Sequence, residues 1–209
     1  MINEFDSKAA GWDLNPMHME RSKAVAKQII ERIPLEPWMK ALEFGAGTGL
    51  TSFLLFDHLG EITMMDNSLE MIKIMKNKIK TAKAGNLKAL FFDLEKNSWS
   101  EGKFDLILTQ MTLHHVSDIK DIIQKFCLML NPGGYIAVAD LYSEDGSFHG
   151  DDFTGHKGFD VEYLSKLLRK KDFTNISHEK CFVINKKLSD DETKEFDVFL
   201  LTARSPNLP

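Results

Sequence analysis

Residues 40–52, with the sequence KALEFGAGTGLTS, constrain the fold of this chain more than any other stretch. The apolar run at residues 41–44 predicts a short buried strand. Glycines follow at positions 45, 47 and 49, and apolar residues return at helical spacing over residues 50–55. A strand, a glycine turn and a helix in succession expose backbone N–H groups and a helix N-terminus. We therefore expect a polar or anionic ligand to bind at this turn.

Strands and helices are predicted to alternate along most of the chain. Apolar runs predict strands at residues 41–44, 61–65, 87–92, 104–109 and 135–141, and near 175–185 and 195–204. Apolar residues spaced three and four apart predict helices at residues 21–33, 50–59, 68–80, 118–130 and 160–170. The alternation predicts an α/β fold, with a single doubly wound, mostly parallel seven-stranded sheet and helices on both faces. No helix separates the last two strands, so one antiparallel C-terminal strand is expected.

The length of the chain and the lack of an obvious linker predict one domain over residues 1–209. Residues 1–33 are expected to form an N-terminal lid and helix. Residues 143–159 form a long irregular segment after the fifth strand, on the ligand side of the sheet, and such loops often bind substrates. Residues 85–86 are expected to end the third helix, and the Asn-Pro-Gly-Gly sequence at 131–134 predicts a turn.

Composition narrows the class of partner. The net charge of -5 argues against a nucleic-acid partner, which usually requires a basic face. Cys127 and Cys181 lie far apart and outside any Cys-x-x-Cys motif, so both are predicted to be buried free thiols. No stretch reaches the ~18 to 20 apolar residues of a membrane span. With no basic and apolar leader pattern at residues 1–6, a cytoplasmic location is expected.

Acidic residues at the predicted strand ends help to identify the ligand. Asp66 ends the second strand, where a carboxylate can accept hydrogen bonds from both hydroxyls of a ribose. An NAD site would use such a carboxylate equally well. Leu50 occupies the position of the third glycine in the dinucleotide motif. Asp93 ends the third strand, where it can accept from an exocyclic adenine amine, and Glu43 precedes the turn. A sulfonium ligand without phosphates tolerates these acids better than a pyrophosphate does.

With these motifs in place, the chain resembles the class I S-adenosylmethionine-dependent methyltransferases of the small-molecule type. The matching stretches, in family order, are LEFGAGTG, MMDNS, FFDLE, FDLILTQMTLHHV and LNPGGYIAVAD. The LHHV and NPGG elements are similar to the quinone and sterol C-methyltransferase group. The resemblance implies a Rossmann-like methyltransferase domain, S-adenosylmethionine as cofactor and a small-molecule methyl acceptor. It leaves open whether nitrogen, oxygen, sulfur or carbon is methylated.

The resemblance also implies roles for individual residues. The glycine turn should wrap the methionine part of the cofactor, with Glu43 orienting it through water. Asp66 should hold the ribose, while Asn67, Ser68, Asp93 and the backbone of Leu94 should lie near the adenine. Thr109 and Gln110 should line the pocket near the transferable methyl group. The implied cofactor-binding residues are therefore Glu43, Gly45, Ala46, Gly47, Gly49, Asp66, Asn67, Ser68, Asp93, Leu94, Thr109 and Gln110.

Histidines and aromatic residues are the candidates on the acceptor side. If a general base is used, His115, His149 and His156 are the candidates, although one of the adjacent pair His114 and His115 is expected to be buried and structural. Trp12, His149 and His156 are candidates for substrate contact. Trp12 and Phe5 could instead be core residues. No metal site is expected, because the histidines and acids of residues 149–156 are more typical of a flexible polar loop.

Two other functions remain open at this point. A nicotinamide-dependent oxidoreductase would use the same glycine turn and Asp66, although the missing third glycine counts against it. A non-catalytic S-adenosylmethionine-binding module is also compatible, because no catalytic residue is certain. The sequence after the fourth strand is Thr-Gln-Met-Thr at residues 109–112. It differs from the Asn/Asp-Pro-Pro-aromatic tetrad of DNA amino-methyltransferases, which favours a small-molecule acceptor.

Overall fold

A single seven-stranded sheet forms the centre of the computed structural model, which describes residues 4–207. Its strands are β1 Lys40–Phe44, β2 Glu61–Asp66, β3 Leu87–Phe91, β4 Phe104–Gln110, β5 Leu130–Leu141, β6 Thr174–Lys187 and β7 Thr193–Arg204. They lie in the order β3-β2-β1-β4-β5-β7-β6. Strands β1 to β5 pair in parallel, and β7 is antiparallel to both of its neighbours. The predicted α/β fold with one antiparallel C-terminal strand is confirmed. The part of the predicted N-terminal lid at residues 1–3 lies outside the described residues.

Helices cover both faces of the sheet because side chains alternate between the faces along each strand. The helices are α1 Pro16–Arg32, α2 Leu50–Leu55, α3 Leu69–Ala82, α4 Ile119–Met129 and α5 Val161–Arg169. Helices α1, α2 and α3 pack with one set of strand residues, including Ile62 and Leu106. Helices α4 and α5 pack with the opposite set, including Ile107 and Ile136. Among the described residues, no helix is long and apolar enough to cross a bilayer.

Three boundaries differ from the predicted ones for identifiable reasons. Helix α1 begins at Pro16 rather than residue 21, because the Asn15 side chain accepts from the backbone N–H of Met17 and proline suits the first helical turn. Helix α2 ends at Leu55, and a 3-10 turn, Phe56–His58, carries the chain on. Lys83, with a left-handed φ of 52°, ends α3 in place of the predicted glycine turn at residues 85–86.

The Asn-Pro-Gly-Gly sequence at residues 131–134 is a bulge inside β5 and not a turn before it. Leu130 pairs with Phe104 and Tyr135 pairs with Leu106, so the four residues of the motif lie opposite a single residue, Asp105. The side chain of Asn131 donates to an Asp105 carboxylate oxygen over 2.7 Å. The backbone N–H of Gly133 donates to the Pro206 carbonyl over 3.1 Å, and Arg204 Nε donates to the Gly133 carbonyl over 3.1 Å. The displaced backbone is therefore hydrogen-bonded, and the strand continues through the bulge.

Both cysteines are free and half-buried. Burial raises the pKa of the Cys127 thiol to about 11 and that of the Cys181 thiol to about 12. The prediction of free thiols in apolar surroundings therefore agrees with the structure, although neither side chain is fully buried. At neutral pH both thiols are protonated and unreactive.

Candidate active site

A cavity of about 640 Å³ lies at the carboxyl ends of β1 to β4. Parallel sheets present ligands there because the strand ends meet helix N-termini and loops at one edge. Most of the residues predicted from the sequence line the cavity. They are Trp12, Glu43, Gly45, Ala46, Gly47, Asp66, Asn67, Asp93, Leu94, Gln110, His115 and His156.

Four predicted residues do not line the cavity. Gly49 is the N-cap of α2, with φ of 81°, and Ser68 caps α3 by accepting from the N–H of Met71. Thr109 is buried, and its hydroxyl has no hydrogen-bond partner among the described residues. His149 lies beside the cavity with its ring against Phe153. Gly49 and Ser68 begin the helices that border the site.

The glycine turn and Asp66 form one hydrogen-bonded unit. The N–H of Gly47 donates to one Asp66 carboxylate oxygen over 2.7 Å, and the N–H of Ser68 donates to the other over 2.8 Å. Gly45 has a φ of 66°, and a Cβ atom there would overlap the side chain of Thr112. Burial raises the pKa of Asp66, while the two N–H groups oppose that shift. The carboxylate is therefore held in one orientation at the cavity wall.

Glu43 is buried beneath the turn. Its carboxylate accepts from the backbone N–H of Ser52 over 3.1 Å and from the Ser52 hydroxyl. Burial raises the pKa of Glu43 to about 7, and the hydrogen bonds from Ser52 offset only part of that effect. A carboxyl group at the edge of ionisation near neutral pH is typical of functional sites.

Gln110 joins three elements at the floor of the cavity. Its amide NH₂ donates to the hydroxyl of Ser22 in α1 over 2.9 Å. Its amide oxygen accepts from the hydroxyl of Thr51 in α2 over 3.3 Å. Because both ends of the amide are engaged, the end of β4 is fixed against α1 and α2. Ser22 and Thr51 were not predicted as site residues.

Arg21 is the residue whose role was hardest to anticipate. It lines the cavity and is only 5% exposed, and its Nε has no hydrogen-bond partner among the described residues. Burial lowers the pKa of its guanidinium to about 10, so it still carries a full positive charge at neutral pH. The sequence contains a signal that Arg21 is buried, because Arg21 lies four positions before Val25 and so shares the apolar face of the helix.

The N-terminal segment closes one side of the cavity. Asp13 accepts from the Thr48 hydroxyl over 2.5 Å and from the Lys78 ammonium over 2.9 Å. The hydroxyl of Ser68 donates to Asp6 over 2.6 Å. The indole of Trp12 lies over Gly47, with Nε1 3.8 Å from the position that a Cβ atom would occupy. Three polar contacts therefore attach this segment to the turn and to α3.

The loop at residues 143–159 closes the opposite side. Residues 152–156 line the cavity. His156 is held by its backbone N–H, which donates to the His114 carbonyl over 2.7 Å. Its Nε2 lies 3.0 Å from the Val116 carbonyl. Since a carbonyl only accepts, Nε2 carries the proton and His156 has one free ring nitrogen, Nδ1.

Asp93 lines the cavity, but its carboxylate is already engaged. It accepts from the backbone N–H of Lys96 over 3.2 Å and from the Lys96 ammonium over 2.6 Å. Partial burial acts to raise the pKa of Asp93, but the hydrogen bonds and charge of Lys96 outweigh it and lower that pKa. The side chain therefore stays ionised at the rim of the cavity.

The paired histidines divide as expected into a buried ring and a cavity-facing ring. Nδ1 of His114 lies 2.6 Å from an Asp140 carboxylate oxygen, and both side chains are almost completely buried. His115 lines the cavity. Burial, followed by the nearby rings of His114 and His149, lowers the pKa of His115 to about 3. Asp140 was not predicted as part of the site, because it lies 26 positions from His114.

Comparison with known proteins identifies the family. Residues 35–156 match the family model described as a methyltransferase domain. The chain belongs to this family. An uncharacterised methyltransferase of Schizosaccharomyces pombe is 27% identical over 153 residues, which is 66% of this chain and 54% of that protein. Phosphoethanolamine N-methyltransferase 1 of Zea mays is 24% identical over 159 residues, which is 73% of this chain and 32% of that protein.

A solved structure shares the whole fold. It is a methyltransferase in complex with the Trm112 methyltransferase activator of Haloferax volcanii, with a TM-score of 0.78 at 18% identity. The match covers 99% of both chains. By contrast, the chain spans about half the length or less of the curated relatives reported above. The finer similarity to quinone and sterol C-methyltransferases stays a prediction.

The methyltransferase is of class I, and its cofactor is S-adenosylmethionine. The residues of the cavity fit this cofactor. Gly47 lines the cavity, and a Cβ atom there would meet the Trp12 indole at 3.8 Å, so its backbone is presented without a side chain beside Trp12. The Asp66 carboxylate is fixed at the cavity wall, and a carboxylate at the end of such a strand can accept hydrogen bonds from ribose hydroxyls. The buried Arg21 Nε lacks a partner within the described chain and is available to an anionic group such as a carboxylate.

Proposed function

We propose that this methyltransferase transfers a methyl group from S-adenosylmethionine to a small-molecule acceptor bound between residues 4–14 and the loop at residues 143–159. The supporting observation is the cavity of about 640 Å³, which residues of both segments line. Small-molecule sites typically measure about 300–1,000 Å³. The net charge of -5 also argues against a nucleic-acid substrate, whose phosphate backbone usually binds a basic face.

Residue roles in cofactor binding follow from the geometry. The turn at Gly45–Gly47 and the Asp66 carboxylate would hold the methionine part and the ribose. Asn67, Asp93 and Leu94 would surround the adenine. We also propose that residues 1–209 act as one domain, with residues 1–33 as lid and helix and 143–159 as the substrate loop. Gly49, Ser68 and Thr109 would support the site without touching the ligand.

Methyl transfer of this kind needs positioning more than chemical activation. The cofactor supplies a methyl group on a positively charged sulfur, which is already a good leaving group. The protein must align the acceptor with that carbon in a dry pocket. Gln110, fixed between Ser22 and Thr51, forms a rigid wall for this purpose. The buried acids Glu43 and Asp66 suit a cationic centre better than a pyrophosphate, which disfavours the nicotinamide alternative.

The geometry gives little support to strong general-base catalysis. His115 faces the cavity, and with a pKa of about 3 it is a neutral imidazole at pH 7 and a weak base. His156 lines the cavity with only Nδ1 free, and His149 lies outside it. We propose that His115 and His156 orient the acceptor by hydrogen bonds. Trp12 would contact the cofactor side of the cavity.

Arg21 narrows the chemistry of the ligands. The Arg21 guanidinium is buried, and no carboxylate of residues 4–207 lies within ion-pair distance of it. This arrangement favours an anionic group in the cavity. That group would be the carboxylate of the cofactor or an anion on the acceptor. The relative from Zea mays is named as a phosphoethanolamine N-methyltransferase, so phosphorylated amines are a rational first class of acceptor.

Binding and turnover measurements test the proposal. Calorimetric titration should show binding of S-adenosylhomocysteine and none of NADH. Release of S-adenosylhomocysteine should then be followed with a panel of phosphorylated amines, carboxylic acids, phenols and thiols. Turnover with one class supports the proposal. Cofactor binding without turnover on any small acceptor would favour the non-catalytic module, and binding of NADH in its place would favour the oxidoreductase.

A further inference from the structure

Three histidine rings meet beside the cavity. His114 and His115 are consecutive in the 3-10 turn Leu113–His115, and the loop brings His149 against them. The ring centroids are 4.3 Å apart for His114 and His115, 4.9 Å for His114 and His149, and 5.2 Å for His115 and His149. One nitrogen from each ring lies within 4.8 Å of those of the other two. Among the described residues, this is the one group of His, Cys, Asp and Glu side chains with metal-binding spacing.

We propose that His114, His115 and His149 bind a divalent transition-metal ion of the zinc type. This three-histidine group differs from the set of histidines and acids at residues 149–156 that was considered from the sequence alone. His149 is the one member in common. The other two ligands come from the turn after β4, which the sequence places 34 and 35 positions earlier.

Asp140 supports His114 as a ligand. Its carboxylate accepts from His114 Nδ1 over 2.6 Å and from the His114 backbone N–H over 3.3 Å. Nδ1 is therefore engaged with the carboxylate, and Nε2 is the ring nitrogen left to coordinate a metal. A carboxylate on the far nitrogen is the usual orienting partner of a metal-bound histidine. Because both side chains are buried, the ring direction is fixed before any metal arrives.

Aromatic side chains enclose the other two rings, His115 and His149. Phe153 stacks on His149 with a centroid distance of 4.0 Å, and Phe5 meets His115 edge-on at 5.1 Å. Charged side chains reach the group from several elements, namely Asp140 from β5, Lys8 from the N-terminal segment and Lys186 from β6.

The ligand set selects the class of metal. Three imidazoles suit zinc, nickel, cobalt or iron, whereas magnesium and calcium require oxygen ligands. Tetrahedral ligands at about 2.0–2.1 Å from zinc lie roughly 3.4 Å from one another. Movements of about 1 Å would bring the rings to that spacing, and the loop position of His149 permits them.

The site leaves one coordination position for a substrate. One of the three histidines, His115, lines the cavity together with Phe153, so the three-histidine group adjoins the cavity. An acceptor hydroxyl or thiol bound there would lose its proton more readily to solvent, since a divalent cation lowers the pKa of a bound donor. This role rests on the proposed function, whereas metal binding itself does not.

Zinc binding to untagged, chelator-treated protein tests the site. Calorimetry with zinc chloride should show one ion per chain, and cobalt should give the intense visible absorption of a tetrahedral site. His149→Ala should weaken binding by at least about tenfold, the loss that follows even from removing an outer partner. His58→Ala, in the exposed turn Phe56–His58, is the matched control and should bind as the parent does.

Several outcomes would overturn the site. They are no stoichiometric zinc on the parent protein, equal zinc affinity in His149→Ala, or an octahedral cobalt spectrum. Asp140→Asn provides a second test, with an expected loss of about 10 to 100-fold in metal affinity. Its folding should be checked by circular dichroism, and if it unfolds, the His149→Ala result decides. If zinc binds but does not change turnover, the metal site is retained and its catalytic role is excluded. The binding result does not depend on whether the protein transfers methyl groups.

Discussion

Replacing Glu43 by Gln should make the protein more stable at alkaline pH and weaken its binding of the cofactor. Glu43 is 2% exposed, and its pKa in the folded protein is about 7, compared with 4.5 for an unperturbed glutamate. The raised pKa means that the folded protein retains a proton that the unfolded chain releases. The free energy of unfolding therefore falls as the pH rises from about 4.5 to about 7.

The size of the effect follows from the two pKa values. A difference of about 2.5 units corresponds to about 3 kcal/mol, because one unit is worth about 1.4 kcal/mol. Glutamine is uncharged at every pH, and its carbonyl oxygen can still accept from Ser52. The variant should thus match the parent near pH 4 and exceed its stability by roughly 2–3 kcal/mol near pH 8.

Urea unfolding followed by tryptophan fluorescence from about pH 5 to about pH 8 measures this difference. The parent minus variant curve isolates Glu43, because every other titrating group is shared. Calorimetry with S-adenosylhomocysteine should at the same time show weaker binding by the variant, since Glu43 is proposed to orient the methionine part. Two parallel stability curves across this pH range would refute the reasoning, because they would mean that burial does not oppose the charge on Glu43.

Three further predictions concern the turn and the cavity. Asp66→Ala should weaken the binding of S-adenosylhomocysteine by roughly 1–3 kcal/mol in calorimetry, because hydrogen bonds to a charged group are lost. Exposed Asp57→Ala is the control. Equal affinity in Asp66→Ala and the parent would remove the ribose assignment. Gly45→Ala should lower the free energy of unfolding by about 1–2 kcal/mol or more, because φ is 66°, in the left-handed region, and the new Cβ meets Thr112. Unchanged denaturant unfolding curves would contradict this prediction. Arg21→Met should weaken S-adenosylhomocysteine but not methylthioadenosine if Arg21 binds the cofactor carboxylate. If Arg21 binds the acceptor, only the KM for the acceptor should rise, and no change in either would exclude the anion site.

The strand ends could be predicted because their signals are local. Gly45, Asp66 and Asp93 each follow a short apolar run, and parallel strands bring such positions to one edge. The Ser68 N-cap of α3 is also a local feature, since a cap acts on backbone groups only three residues away. The fold class therefore followed from local patterns, and most of the cavity wall followed from the family resemblance that the local motifs carry.

Features that depend on tertiary contact could not be predicted in this way. The pairing of His114 with Asp140 joins β5 to the turn after β4, and periodicity carries no information about it. The sequence places Arg21 on the apolar face of its helix, but its position at the cavity depends on the packing of α1 over the end of β4. The bulge at residues 131–134 was predicted as a turn, because its glycines and proline are the same residues that turns use.

Transfer of a labelled methyl group tests the central claim most directly. The protein would be incubated with S-adenosylmethionine labelled at the methyl carbon and a cell extract separated into small-molecule and macromolecular fractions. The account predicts label in one or a few small molecules, with loss of that label in Asp66→Ala and retention in Asp57→Ala. Label in nucleic acid or protein, or transfer to neither fraction by protein shown to bind S-adenosylhomocysteine, would contradict it.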